Sequence, residues 1–231
     1  LHERGDAPAL ILNMLTSAGQ LVVIWIIYRR RFYQPTADVT PPLPGLLRAA
    51  WHFALAGVFA ALQARVSLIV LEVLTDTAQV GYFSAAARFT EAARLIPNAF
   101  FGALFPTLSA IAAHTVVFRR TFSRAGRWLT VYGIVGVIGA ALAGGLAIDL
   151  VFGSAFAPAV PVLILAAAAF AFSLLRGLAT LAWYAHKREA RVNGVNAGVL
   201  ILIIGLSAVL IPAGGAAGAA LALLLAEAAG Y

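Results

Sequence analysis

The sequence predicts an all-α integral membrane protein with seven transmembrane helices, and three observations lead there. Of its 231 residues, 62% are hydrophobic and 11% are charged, whereas soluble domains average about half apolar and about a quarter charged. Mean hydropathy is +0.94. A soluble fold must also cover itself with polar surface, and this chain does not hold enough polar residues to do so. Finally, Lys and Arg gather in alternate connections between the apolar segments.

The segments follow from length. A span needs about 20 mostly apolar residues at 1.5 Å rise to cross about 30 Å of hydrocarbon. Ala7–Tyr28 carries no charge, and Gly45–Leu74 is apolar except for Arg48, Arg65 and Glu72. Ala78–Ala113 contains "VGYFSAAARFTEAARLIPNAFFGALFP" (Val80–Pro106), with Arg88, Glu91 and Arg94 inside it. Trp128–Ile148 and Ser154–Leu175 carry no charge. Val192–Ala226 carries none either, but at roughly 35 residues it is too long for one span. The Pro and Gly of "IPAGGAAG" (Ile211–Gly218) divide it in two. No segment shows the short alternating pattern of barrel strands.

Orientation follows from the basic residues. Arg29, Arg30, Arg31 and Arg48 lie between the first two predicted helices. Arg119, Arg120, Arg124 and Arg127 lie between the third and fourth, and Lys187, Arg188 and Arg191 between the fifth and sixth. The alternate connections "TDTAQ", "IDLVFGSAFAP" and "IPAGGAAG" contain no Lys or Arg. The positive-inside rule makes the basic loops cytoplasmic. The net charge of +7 is then a topology signal, and no nucleic-acid partner is expected. With no cysteine in the chain, a disulfide framework, a Cys metal site and a Cys nucleophile are excluded. His2, His52, His114 and His186 fall at termini or helix ends without metal-ligand spacing. We expect a piece of a longer chain, because the sequence opens "LHERGDAPAL" without Met or a signal-peptide pattern and closes in the apolar "LALLLAEAAGY".

Few charges remain within the spans. Such groups cost several kcal/mol at the bilayer centre and usually face a bundle interior or a wet cavity. Arg88 falls roughly 15 Å into the third span. At 100° per residue, Ser84, Arg88, Glu91, Arg94 and Asn98 share about a third of the circumference. Glu91 is i,i+3 from each arginine, so the stripe carries one excess positive charge. It is either the wall of an anion-accepting cavity, where Arg can grip phosphate bidentately, or a self-neutralising cluster that holds helices together. Arg65 and Glu72, seven apart, share one face of the second helix. Arg65 would line the cavity or pair with an acid, and Glu72 would sit at a solvated end. Arg176 is expected to snorkel to the cytoplasmic interface, and Asp149 to sit at an outer terminus. Pro97 and Pro106 would kink the stripe-bearing helix and are hinge candidates.

Three stretches carry a family resemblance. "VGYFSAAARFTEAARLIPNAFFGALFPTLS" (Val80–Ser109), "LVFGSAFAPAVPVLILAAAAF" (Leu150–Phe170) and "NAGVLILIIGLSAVLIPAGGAAGAALALLLAE" (Asn196–Glu227) resemble segments of the polysaccharide-biosynthesis, Wzx-type flippases. These belong to the multidrug/oligosaccharidyl-lipid/polysaccharide exporter superfamily, which includes the MATE-like transporters. The resemblance implies two six-helix lobes related by a pseudo-twofold and forming a V. Residues 1–44 would be the sixth helix with a cytoplasmic linker, and residues 45–231 the C-terminal six-helix lobe.

The implied activity is non-enzymatic. An undecaprenyl-pyrophosphate-linked sugar unit is flipped across the bacterial cytoplasmic (inner) membrane for O-antigen, lipopolysaccharide or other polysaccharide export. The implied mechanism is alternating access coupled to H+ or Na+, with membrane lipids around it and no cofactor. Arg88 matches the arginine of the family's "aaR" segment. Arg65 matches a position often followed by a hydrophobic residue and Asp, but Ser67 stands in place of that acid here. Substrate contacts would then be Arg88, Arg65, Arg94, Glu91, Asn98 and Ser84, and Glu91 and Glu72 would be candidates for ion coupling. Competing readings are a peptidoglycan lipid-precursor flippase, a multidrug or cation antiporter, an intramembrane sugar polymerase or ligase, and a non-transporting scaffold. The arginine excess argues against a cation exporter. Short, weakly charged outer loops argue against an enzyme of the polymerase type.

Overall fold

A computed structural model describes the protein over residues 6–31 and 43–231. Apart from a short 3₁₀ turn at Ser154–Phe156, the regular elements there are seven α-helices: α1 (Asp6–Arg31), α2 (Leu43–Leu74), α3 (Thr77–Ala93), α4 (Leu95–Ala110), α5 (Thr115–Phe152), α6 (Ala159–Ala185) and α7 (Glu189–Ala229). The chain divides into two compact units, Leu1–Leu46 and Leu47–Tyr231. The first holds α1, where Arg29 lays its guanidinium over the Trp25 ring at 5.1 Å. His2 and the linker at 32–42 lie outside the described residues, as does the side chain of Arg48.

Within the second unit α6 is the central helix, packed against α3, α4, α5 and α7. Its sequence suits that place, with small residues (Ala159, Ala166, Ala167, Ala169) interleaved with Val162, Leu163, Phe170, Leu174 and Leu178, all buried. The α5–α6 approach is close enough that a Cβ on Gly133 would lie 2.7 Å from Ala171 Cβ. A small residue at that crossing lets two backbones meet without a hydrophobic drive from water. One buried cluster joins Leu71, Ala85, Ala86, Ile148, Leu163, Ile211 and Ala220. A second joins Ala125, Leu129, Phe170, Leu174 and Leu178.

The surface confirms the membrane class. On α5 alone, Ile134, Val135, Ile138, Leu142 (84% exposed), Leu146 and Leu150 face outward. Water would not tolerate that apolar ridge on a monomer. Ala50–Leu74, Thr115–Phe152, Ala159–Ala185 and Glu189–Ala229 are long and apolar enough to cross a membrane, so this is a multi-pass membrane protein.

Three segments depart from the expected layout. The third expected span is two short helices, α3 of 17 residues and α4 of 16, meeting at Arg94. The basic connection before Trp128 is helical, because α5 runs 38 residues from Thr115, or about 57 Å. The turn around Lys187 is also ordered. Arg188 N–H donates to Trp183 O at 2.8 Å and Lys187 N–H to Tyr184 O at 3.0 Å, with Lys187 at φ 55°, a Schellman-type helix end.

The predicted division of the last apolar stretch is present inside α7. Gly215 takes φ 52°, ψ −132°, a conformation open essentially to glycine. Run straight, Val199 and Gly230 would be about 46 Å apart. Instead Val199, Ile203 and Ala226 share one buried cluster, and a Cβ on Gly230 would strike Val199. α7 is therefore a hairpin of two antiparallel arms, 189–214 and 216–229. A Cβ on Gly218 would meet Leu210 O, so the turn is tight. The break frees the Ala216 N–H, which donates to Gln79 Oε1 on α3 at 2.9 Å.

Candidate functional site

The stripe predicted on one helix is shared between α3 and α4, which meet at Arg94. α3 turns Ala85 and Ala86 inward, which puts Arg88 and Glu91 on the exposed side, with Asn98 exposed on α4 and Ser84 half-buried. Among the described residues neither Arg88 nor Glu91 forms an ion pair or a hydrogen bond through its side chain. Arg65 and Glu72 on α2 are likewise exposed.

Arg94 is exposed as well, but its guanidinium is placed against α6, and backbone chemistry explains its position. Pro97 has no N–H, so the carbonyl four residues earlier, Ala93 O, loses its helical donor. The Tyr132 hydroxyl of α5 supplies the replacement, donating to Ala93 O at 2.8 Å. Arg94 sits at this break. Its guanidinium lies over the Phe170 ring of α6 at 5.1 Å, a cation–π arrangement, and the edge of Tyr132 meets the same ring at 6.4 Å. Of the two proline hinge candidates, Pro97 is buried at the break, whereas Pro106 lies exposed within α4.

Beside Arg94 is a small chamber of about 60 Å³, lined among others by Thr90, Phe170, Ser173, Leu223 and Glu227. Thr90 and Ser173 donate their hydroxyl protons to Ala87 O and Phe170 O of their own helices. Arg94 and Glu227 thus face the same chamber, and Arg94 lies in the electrostatic field of Glu227, Arg176 and Glu91.

The far wall is a buried polar network that joins three helices. Arg176 on α6 pairs bidentately with Glu227 on the second arm of α7, Nε to Oε2 at 2.7 Å and NH2 to Oε1 at 2.9 Å. Its NH1 donates to Asn196 Oδ1 on the first arm at 2.8 Å, and NH2 also reaches Gln63 Oε1 on α2 at 3.2 Å. Gln63 Nε2 donates to Asn196 O at 2.8 Å. The paired side chains are 14% and 7% exposed. The expectation that Arg176 snorkels to the interface is therefore corrected, because a bidentate carboxylate and two amide oxygens hold it inside.

Sequence reasoning does not reach Glu227, Asn196 or Gln63. A weak signal exists: Asn196 lies within the apolar stretch Val192–Ala226, and Glu227 is the charge that directly follows it. Nothing local ties them to Arg176, 51 and 20 residues away. Asn193 extends the polar seam, donating to His52 O at 3.2 Å. Ser67 and Ser207 are buried, and their hydroxyls have no hydrogen-bond partner among the described residues.

A wider apolar groove of about 330 Å³ runs along the Gly/Ala face of α5, bounded by Phe89, Tyr132, Gly136, Ala140, Leu163 and Phe170. It shares Thr90 and Phe170 with the chamber. Chemically, the region joins a guanidinium with no ion pair among the described residues, a fixed ion pair and an apolar groove, all around one phenylalanine ring.

A family model described as "Polysaccharide biosynthesis protein" matches residues 7–112, just under half of the chain. The match spans α1 to α4 and includes Arg65, Arg88 and Arg94, but stops short of Arg176 and Glu227. No curated protein and no solved structure matches the chain.

Proposed function

We propose that this chain is part of a polysaccharide-biosynthesis transporter of the bacterial inner membrane. In this reading it flips undecaprenyl-pyrophosphate-linked sugar units from the cytoplasmic to the outer leaflet by alternating access, without covalent chemistry of its own. Arg94 is the observation that carries the reading. It sits at a proline-induced helix break within the family-matched region, and it forms no ion pair among the described residues. A guanidinium poised beside an apolar groove suits a ligand with a phosphate head and a lipid tail. Arg88 and Arg65, exposed on the same matched region, would contribute further positive charge to the pyrophosphate path, and the MATE-like two-lobe fold would supply the opposing wall.

Coupling to H+ or Na+ is part of the same proposal. Glu91 and Glu72 are exposed, whereas Glu227 is the carboxylate that shares the chamber with Arg94. An ion acting at Glu227 would have to compete with Arg176. A peptidoglycan-precursor flippase would present the same pyrophosphate chemistry, so the sugar decides between the two.

The test uses the full-length protein in vesicles with an undecaprenyl-pyrophosphate-linked sugar. Losing a charge-assisted hydrogen bond of about 1.5–3 kcal/mol should slow transfer about 10- to 100-fold in Arg94→Ala, with Arg94→Lys recovering part of it. Arg88→Ala should lose less. Undiminished transfer by both alanine variants would reduce the arginines to structural charges.

A further inference from the structure

A second feature lies on the outward side of α5, one residue from Tyr132 in sequence but turned away from the bundle. Arg120, Arg124, Arg127, Trp128 and Val131 fall within one stripe about 100° wide at 100° per residue. Arg124, Arg127, Trp128 and Val131 line a shallow groove of about 370 Å³. Trp128 is 69% exposed at its edge. α5 buries its opposite face through Ala125 and Leu129, so the groove looks out from the bundle.

Three features define what fits there. The first is charge without a counter-ion. Between Thr115 and Ile148 the sequence has no Asp or Glu, and none of these arginines forms an ion pair among the described residues. Two guanidiniums i,i+3 on one face make a local double positive charge that calls for an anion. The second is position. An exposed Trp directly beside arginines, with only apolar residues beyond it on the same stripe, marks the level where headgroups meet hydrocarbon. The third is the surface below. Val131, Ile134, Val135, Ile138, Leu142 and Leu146 continue the same stripe and are all exposed. They extend about 22 Å along the helix, more than the depth of one leaflet of a bilayer about 30 Å thick.

We infer that Arg124, Arg127 and Trp128 form a binding site for an anionic phospholipid of the cytoplasmic leaflet, with its headgroup phosphate between the two guanidiniums and its acyl chains along Val131–Leu146. The helical form of residues 115–127 makes this possible. As a loop, the arginines would point in unrelated directions. As the first turns of α5, they stand directly over the lipid-facing ridge. The site is independent of the transported substrate, and it would fix the depth of α5 in the membrane.

The experiment uses the full-length protein exchanged into an equimolar phosphatidylglycerol and phosphatidylcholine mixture. Retained lipid is counted by native mass spectrometry. The wild type should retain phosphatidylglycerol over phosphatidylcholine by about fivefold or more, and the preference should shrink as salt is raised, because surface charge is screened within about 10 Å at 0.1 M. The double variant Arg124→Gln/Arg127→Gln should fall to within twofold of parity. Arg119→Gln, one residue off the stripe, should keep the preference. Equal retention by the wild type, a salt-independent preference, or a preference that survives the double variant would overturn the assignment. If the double variant does not insert, the salt series on the wild type still decides. Inorganic phosphate at millimolar concentration should not abolish the preference, and abolition would point to a free-anion site instead.

Discussion

Two sets of charges in this molecule invite comparison. Arg88 and Glu91 lie one helical turn apart on α3, at a spacing that permits a pair, yet both are exposed and unpaired among the described residues. Arg176 and Glu227 are 51 residues apart on different helices, and they form a bidentate bridge with two amide side chains completing the coordination. Spacing within a helix only makes a pair available, at a few tenths of a kcal/mol. Burial makes a pair obligatory, because a charge withdrawn from water must find a partner or stay neutral. Arg94 is exposed like Arg88, yet it has an aromatic face beneath it and a carboxylate across a chamber, with no ion pair among the described residues.

The sharpest way to break this comparison is to remove one member of the buried pair. Glu227→Ala leaves Arg176 inside with only amide partners and should cost about 3–5 kcal/mol, read as a large drop in unfolding midpoint in detergent. Adding Arg176→Ala should recover part of the loss. A strictly additive double variant would mean that the bridge contributes nothing of its own.

The arms of α7 must fold back for Glu227 to reach Arg176. Gly215→Ala forces a non-glycine residue into a glycine-only conformation and against Gln79. About 1–3 kcal/mol of strain is expected, and an unchanged midpoint would argue that the hairpin is not required. Tyr132→Phe keeps the ring on Phe170 but deprives Ala93 O of its donor. This should cost about 1–3 kcal/mol, and faster amide exchange at the start of α4 would localise the loss to the break. At the small end, Glu91→Ala should move stability by less than about 0.5 kcal/mol. A loss of several kcal/mol there would revive the stripe as a structural ion cluster.

Much of the site was out of reach for sequence reasoning, and particular residues show why. Arg94 could be marked as an intramembrane charge and Pro97 as a kink, because both effects are local. That Tyr132 caps the carbonyl freed by Pro97 depends on α5 crossing at that height. Arg176 looked like a snorkelling residue because nothing in its own helix could neutralise it. Its partner is at the far end of the hairpin, and only the reversal at Gly215 brings that partner near.

By itself the sequence determined the membrane class, the helical character, the grouping of its basic residues and the break in the last apolar stretch. Each depends on composition or on a residue's own backbone preference. Only the tertiary structure decided which charges are buried, which helix faces meet, and that the arginines before Trp128 stand on one helical stripe. Those outcomes depend on which helices come together, and the desolvation that forces charges to pair exists only once they have packed.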